Sequence, residues 1–189
     1  FGPKEIRSTY LIKKAGFVAV HQWNFMEKFD VLEIAAPGAT VLINSPYAVE
    51  EIWDHLPREV QAQIIEKELK VYAVDAYGVA KKANLGVRTN TIMQTCFFKL
   101  SGVIEPGEAI KRIKATIEYT YGSKGPEIVK KNFAGVDQAL ANLHEVPLGK
   151  EVTPTFEFPP VVPDEAPDFV KAVEALIIAG KGDSLPVSA

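Results

Sequence analysis

Two short polar segments of the sequence carry side chains that are suited to holding a ligand. One is INSPY at residues 43–47, and the other is RTN at residues 88–90; apolar residues lie on both sides of each. Amides and hydroxyls donate and accept hydrogen bonds, and a guanidinium beside a helix N-terminus suits a phosphate or a carboxylate. These two corners provide the candidate binding residues Asn44, Ser45, Arg88, Thr89 and Asn90.

Each corner also has an alternative explanation that needs no ligand. Asn44 and Ser45 can form a capped turn, and Asn90 can cap a helix that starts at Thr91. The residue types leave both alternatives open. Asp75, at the end of a third apolar run, is predicted to be the N-cap of the helix that follows it.

The sequence indicates no catalytic residue and no metal site. It contains none of the patterns G-x-G-x-x-G, G-x-x-x-x-G-K-[ST] and G-x-S-x-G, which mark phosphate loops and a serine nucleophile. The single cysteine, Cys96, excludes an internal disulfide and a cysteine-ligated cluster, and its apolar neighbours favour a buried thiol. The three histidines lie far apart and show no metal-ligand spacing: His21, His55 and His144.

The elements that position the corners are predicted to form an open α/β sheet. Continuous apolar runs are typical of parallel strands that helices cover on both faces; they lie at 17–21, 40–45 and 71–76. Helices are predicted over 24–35, 49–56, 57–69 and 77–86. This β-α-β-α-β-α order predicts a Rossmann-like parallel sheet with right-handed crossovers. In such a sheet, ligands bind outside the carboxyl ends of the strands.

Helical periodicity predicts which side chains these helices bury. The stripes are Phe25, Phe29 and Leu32, ended by Pro37 and Gly38; Val60, Ile64 and Ile65; and Ile110, Ile113 and Ile117 in a later helix. A last long helix is predicted around Val129, Phe133 and Val136, and Gly86 is predicted to end the helix before it.

Composition and length predict one globular domain followed by a linker. The chain has 189 residues, 47% hydrophobic residues and a net charge of −3, which does not suggest nucleic-acid binding. We expect a cytoplasmic protein, since the sequence lacks a signal peptide and an apolar run of membrane-spanning length. Prolines crowd residues 146–167, so we divide the chain into an α/β domain at 1–145 and a linker with a short helix at 146–189.

Several long segments together resemble one known family. They are FGPKEIRSTYLI, AGFVAVHQWNFMEKFDVLEIA, INSPY, EIWDHLPREVQAQIIEKELKVYAVDAYGVAK, NTIMQTCFFKLSGVI and KGDSLPVSA. They are similar to the gamma, or third, domain of the long single-chain pyruvate:ferredoxin (flavodoxin) oxidoreductases, over essentially the whole chain. The resemblance implies a fragment that lacks the glycine-rich beginning of that domain and leads on to a further domain.

The resemblance also implies a function. The family oxidatively decarboxylates pyruvate with coenzyme A to acetyl-coenzyme A and passes electrons to ferredoxin or flavodoxin, and some members suggest a link with nitrogen fixation. Thiamine diphosphate and the 4Fe-4S clusters are expected in other domains of the parent, which is expected to be a homodimer. Coenzyme A is expected near the present domain, at Asn44, Ser45, Arg88, Thr89 and Asn90. The alternative is a purely structural module that packs between domains or subunits.

Overall fold

A computed structural model describes residue 5 and residues 12–188 of the chain. Its sheet has the strand order β1-β2-β3-β4, in which β1, β2 and β3 are parallel and β4 is antiparallel to β3. The strands are β1 at Ala15–Val20, β2 at Ala35–Asn44, β3 at Lys70–Val74 and β4 at His144–Glu145. The predicted parallel α/β sheet is confirmed, and the short antiparallel β4 was not predicted.

Both faces of the sheet are buried. Alternate residues of the central strand β2 point to opposite faces, and each set packs in its own cluster. Val41 and Ile43 of β2 belong to one buried cluster, whereas Leu42 between them belongs to another. The helices of the first face are α1 at Asn24–Lys28 and α2 at Arg58–Glu66. A 3₁₀ turn, Trp53–His55, precedes α2 on the same face.

The second face is covered by helices from the later part of the chain. These are α3 at Ala76–Lys82, α4 at Asn90–Ser101 and α6 at Pro126–Ala141; α5, at Pro106–Tyr121, packs against α4 and α6. Ile113 and Ile117 of α5 meet Val136 of α6 in a third buried cluster, as their helical spacing predicts. In the described residues no helix combines the length and the apolar character needed to cross a membrane.

The predicted helix over 24–35 is wrong beyond Lys28. Phe29 is 53% exposed, and the next residues form turns up to the start of β2. Two long-range contacts fix the turns: the Lys67 ammonium donates to the carbonyls of Leu32 and Glu33, and the backbone N–H of Ala15 donates to Ile34. Tertiary bonds therefore override the local helical pattern, and Met26 and Leu32 are the residues buried here.

Other helix limits also differ from the prediction. Residues 49–56 contain only the 3₁₀ turn, and Pro37 and Gly38 lie inside β2, where Gly38 takes a positive φ of 72°. Helix α3 ends at Lys82 instead of Gly86, because Asn84 already adopts a left-handed conformation with φ 56°. Asp75 is confirmed as the N-cap of α3, since its carboxylate accepts from the N–H of Gly78 at 2.8 Å.

The last part of the chain is extended and then helical. The N–H of Val146 donates to Val71, which prolongs the pairing of β4, and no regular element follows until a π-helical turn at Val170–Glu174. Helix α7, at Ala175–Ile178, continues this turn. Gly180, with φ 73°, ends the helix, because the N–H of Lys181 donates to Leu176 and that of Gly180 donates to Ile177.

Candidate functional site

A cleft opens at the carboxyl ends of β2 and β3, where an open α/β sheet places its ligands. It has a volume of about 440 Å³. The turn after β2 supplies one wall and the start of α3 supplies another. Its polar lining residues are Ser45, Tyr47, Glu50, Asp75, Asn142 and His144.

Asn44 lies beneath this cleft and joins three chain segments. Its side-chain amide donates to the carbonyl of His21, after β1, at 2.9 Å. Its carbonyl oxygen accepts from the N–H of Ala76, at the start of α3, at 3.0 Å. Asn44 is only 2% exposed; its bond to Ala76 is buried and its bond to His21 is partly buried, and together they fix the geometry of the sheet edge.

Ser45 closes the turn that follows. Its hydroxyl accepts from the N–H of Tyr47 at 3.1 Å, and its own N–H donates to Val74 at the end of β3. The Tyr47 ring then stacks on His55, with ring centroids 3.7 Å apart and planes 9° apart, and it meets Trp23 edge-to-face. The INSPY corner is therefore a rigid turn whose polar side chains are largely occupied within the protein.

Two residues of the cleft were not identified from the sequence. Asn142 ends α6 and His144 opens β4, about 70 residues after the end of β3 and about 100 residues after the end of β2. A strand of two residues has no periodicity, so the sequence could not predict β4 or the residues that it places in the cleft. Their side chains add an amide and an imidazole to the cleft.

The second corner has a different character. Arg88 is exposed, Thr89 is 9% exposed, and Asn90 is the exposed first residue of α4. Thr89 occupies the N-cap position and makes no side-chain hydrogen bond there, and Asn90 already lies inside the helix, so the alternative in which Asn90 caps α4 is wrong. Helix α4 therefore begins with N–H groups that no capping side chain satisfies, which is the arrangement that attracts an anion.

The sequence on both sides of this helix start contains basic residues and no acidic ones. No Asp or Glu occurs in the sequence between Asp75 and Glu105, whereas the same stretch contains Lys81, Lys82, Arg88 and Lys99. Among the described residues, Arg88 makes no ion pair. An anionic group at the α4 N-terminus would thus have Arg88 beside it in sequence and no carboxylate nearby in sequence.

The two corners remain separate in the described part of the chain. Ser45 lines the strand-end cleft, whereas Thr91, beside the second corner, lines a groove between α4 and α5. Between Tyr47 and Arg88 the chain forms the 3₁₀ turn, α2, β3 and α3. No hydrogen bond within residues 12–188 joins Arg88, Thr89 or Asn90 to the INSPY turn.

Cys96 is inert by its surroundings. It is fully buried in α4, and burial raises the pKa of its thiol to about 12, so that the reactive thiolate is scarce at neutral pH. The described residues include no group of three or more His, Cys, Asp or Glu side chains that could hold a metal ion.

The described residues form an open α/β domain of the Rossmann-like type, with polar corners after its strand β2 and before its helix α4. The family model described as pyruvate ferredoxin/flavodoxin oxidoreductase matches residues 1–142, and a model named EKR, a domain of unknown function, matches residues 155–189. The chain belongs to the pyruvate ferredoxin/flavodoxin oxidoreductase family.

Its relatives are much longer proteins. The chain is 54% identical to a putative pyruvate-flavodoxin oxidoreductase of Synechocystis sp., 51% to the pyruvate-flavodoxin oxidoreductase of Rhodospirillum rubrum and 41% to the pyruvate:ferredoxin oxidoreductase of Moorella thermoacetica. Each match covers 100% of this chain and 16% of the relative, so the chain corresponds to one segment of these proteins.

A solved structure has a similar fold. The pyruvate oxidoreductase subunit PORC of Thermotoga maritima aligns with a TM-score of 0.54 at 16% identity, over 70% of this chain and 66% of that one. At this identity the likeness concerns the fold alone. It agrees with the α/β architecture described above.

Proposed function

We propose that this chain is part of an enzyme that oxidatively decarboxylates pyruvate with coenzyme A and passes the electrons to ferredoxin or flavodoxin. The relatives named above support the overall reaction. The 4Fe-4S clusters are assigned to other parts of the polypeptide, because such a cluster needs four cysteine ligands and this chain has one cysteine. Thiamine diphosphate and the contacts with the electron acceptor are proposed to lie there as well. The complete enzyme is proposed to be a cytoplasmic homodimer.

Within that enzyme, the Arg88–Asn90 corner is the proposed coenzyme A contact. The observation that carries this assignment is the uncapped N-terminus of α4 beside Arg88, a cation with no ion-pair partner among the described residues. Coenzyme A offers phosphates for the guanidinium and the helix N–H groups, and amides for the Asn90 side chain. Arg88 and Thr89 would hold a phosphate, and Asn90 would orient the ligand.

Asn44 and Ser45 belong to the same proposal in a less direct role. Their hydrogen bonds already hold the carboxyl edge of the sheet, so they would shape the cleft in which the ligand and a neighbouring domain close together. The strand-end cleft is lined by Glu50 and Asp75 and is less suited to a phosphate than the Arg88 corner.

The test is the affinity for coenzyme A, measured by calorimetry on the full-length protein. Arg88→Ala and Asn90→Ala are compared with wild type and with Arg58→Ala, a matched control on the exposed side of α2. We expect at least a tenfold loss for Arg88→Ala, or about 1.4 kcal/mol, and no change for the control. The KM for pyruvate should stay the same.

The alternative function is a packing module without ligand contacts. Phe25 and Phe29 favour it, because their side chains are 40% and 53% exposed. The two rings contact each other edge-to-face, with centroids 5.7 Å apart, and Phe29 lines a mostly apolar groove. Unchanged coenzyme A affinity in both corner variants, with weaker subunit assembly in Phe29→Ser, would support this alternative and reject the coenzyme A assignment.

A further inference from the structure

Helix α2 begins without a capping side chain of its own. The residue at its N-cap position is Pro57, which makes no side-chain hydrogen bond. Instead, the first helical N–H, that of Arg58, donates to the carbonyl of Phe156 at 3.0 Å. A residue far along the chain thus satisfies one of the first N–H groups of the helix, which have no acceptor within the helix itself.

The next residue of α2 makes the reciprocal contact. The carboxylate of Glu59 accepts from the N–H of Phe158, with both oxygens within reach at 3.1 and 3.2 Å. The Phe158 ring packs against the larger buried cluster of the first sheet face. The two aromatic residues 156 and 158 therefore give α2 one acceptor, one donor and one apolar contact.

A third residue of α2 holds the chain just before these aromatics. Gln61 is fully buried; its amide donates to the carbonyl of Trp53 at 2.6 Å, and its oxygen accepts from the N–H of Thr153 at 2.9 Å. Further upstream, Gly149 lies directly on the Trp53 indole, where a Cβ would come within 2.7 Å of Cε2. Residues 146–158, called the strap below, are thus attached to α2 and its preceding turn at successive points.

The strap connects the strand-end cleft to the 155–189 segment. Its beginning continues β4, so it is covalently joined to Asn142 and His144 in the strand-end cleft. Its end overlaps the start of the 155–189 segment, which matches a domain of unknown function. The end of α7 also returns to this side of the molecule, because Ile178 lines one groove together with Phe29 and Phe158.

We propose that the strap is a latch, in which the beginning of the 155–189 segment caps α2 and thereby holds the cleft wall that carries His144. Releasing the latch frees the C-terminal segment and loosens that wall, so the two move as one conformational unit. This role is independent of whether the protein binds coenzyme A.

Hydrogen exchange followed by mass spectrometry on the full-length protein tests the latch. Glu59→Ala removes the acceptor for Phe158, and Glu59→Gln keeps an acceptor oxygen without the charge. Glu66→Ala, at the exposed end of the same helix, is the matched control. We expect Glu59→Ala to speed exchange at least about tenfold in residues 153–158 and severalfold in 142–146, with Glu59→Gln and Glu66→Ala close to wild type.

Peptides from α4 report whether the domain as a whole has opened, and their exchange should not change. Gln61→Leu provides a second route to the same state, since it removes the buried bonds to Thr153 and Trp53. Unchanged exchange in the strap of both variants would overturn the latch. Faster exchange in the strap with residues 142–146 unchanged would overturn its coupling to the cleft.

Discussion

Replacing Asn44 should loosen the carboxyl edge of the sheet more than any surface change near the corners. Asn44→Ala removes the bond to the His21 carbonyl and leaves the N–H of Ala76 buried without a partner, since Ala76 is 0% exposed. A lost hydrogen bond costs about 1 kcal/mol and a buried unsatisfied donor about 1–3 kcal/mol, giving about 2–4 kcal/mol in all.

Hydrogen exchange of the Ala76 amide in the full-length protein measures this loss directly. A change of about 2–4 kcal/mol in local opening corresponds to roughly 30- to 1,000-fold faster exchange. Asn44→Asp keeps an acceptor for the Ala76 N–H, but it buries a carboxylate against the His21 carbonyl and should therefore also destabilise this edge. Asn24→Ala, an exposed asparagine on α1, is the control.

Wild-type protection of Ala76 in Asn44→Ala would refute the reasoning. It would mean that water or a rearranged side chain replaces the amide, and that the edge does not depend on this residue. Faster exchange over the whole sheet would instead show that Asn44 supports global stability and has no particular role at the edge.

Two further outcomes follow from buried neighbours. Gly149→Ala should drive a Cβ into the Trp53 ring, which is 6% exposed and has little room to move. We expect it to destabilise the strap by about 1–3 kcal/mol, measured as faster hydrogen exchange in residues 146–158. Gly16→Ala, with nothing near its Cβ position, is the control and should have no such effect. Because a pKa of about 12 leaves about one in ten thousand Cys96 thiols ionised at pH 8, iodoacetamide should label that peptide only after denaturation, and rapid native labelling would contradict the assigned burial.

The sheet could be predicted because its central strands are apolar on both faces. Val41, Leu42 and Ile43 are each 0% exposed, so the sequence shows one continuous run that suits a covered parallel strand. The helices α5 and α6 were predicted for the complementary reason, since Ile113, Ile117 and Val136 repeat at helical spacing and are buried.

The errors occur where distant residues decide the backbone. Local periodicity favoured a helix beyond Lys28, but the ammonium of Lys67 binds the carbonyls of the following turn from 35 and 34 residues away. The same limit applies to the site. The corner residues could be named from their chemistry, yet the partners of Asn44 lie 23 and 32 residues away and could not be inferred from spacing.

The capping of α2 by a distant segment also has a consequence for the order of folding. Gln61 and Glu59 bind partners 92 and 99 residues further along the chain. At a synthesis rate of about 5–20 residues per second, roughly 5 to 20 seconds pass between the appearance of the helix and that of its cap on the ribosome. Contacts across such separations form late. The nascent α/β body therefore stays incomplete until the segment after it has been made, and the two finish folding together.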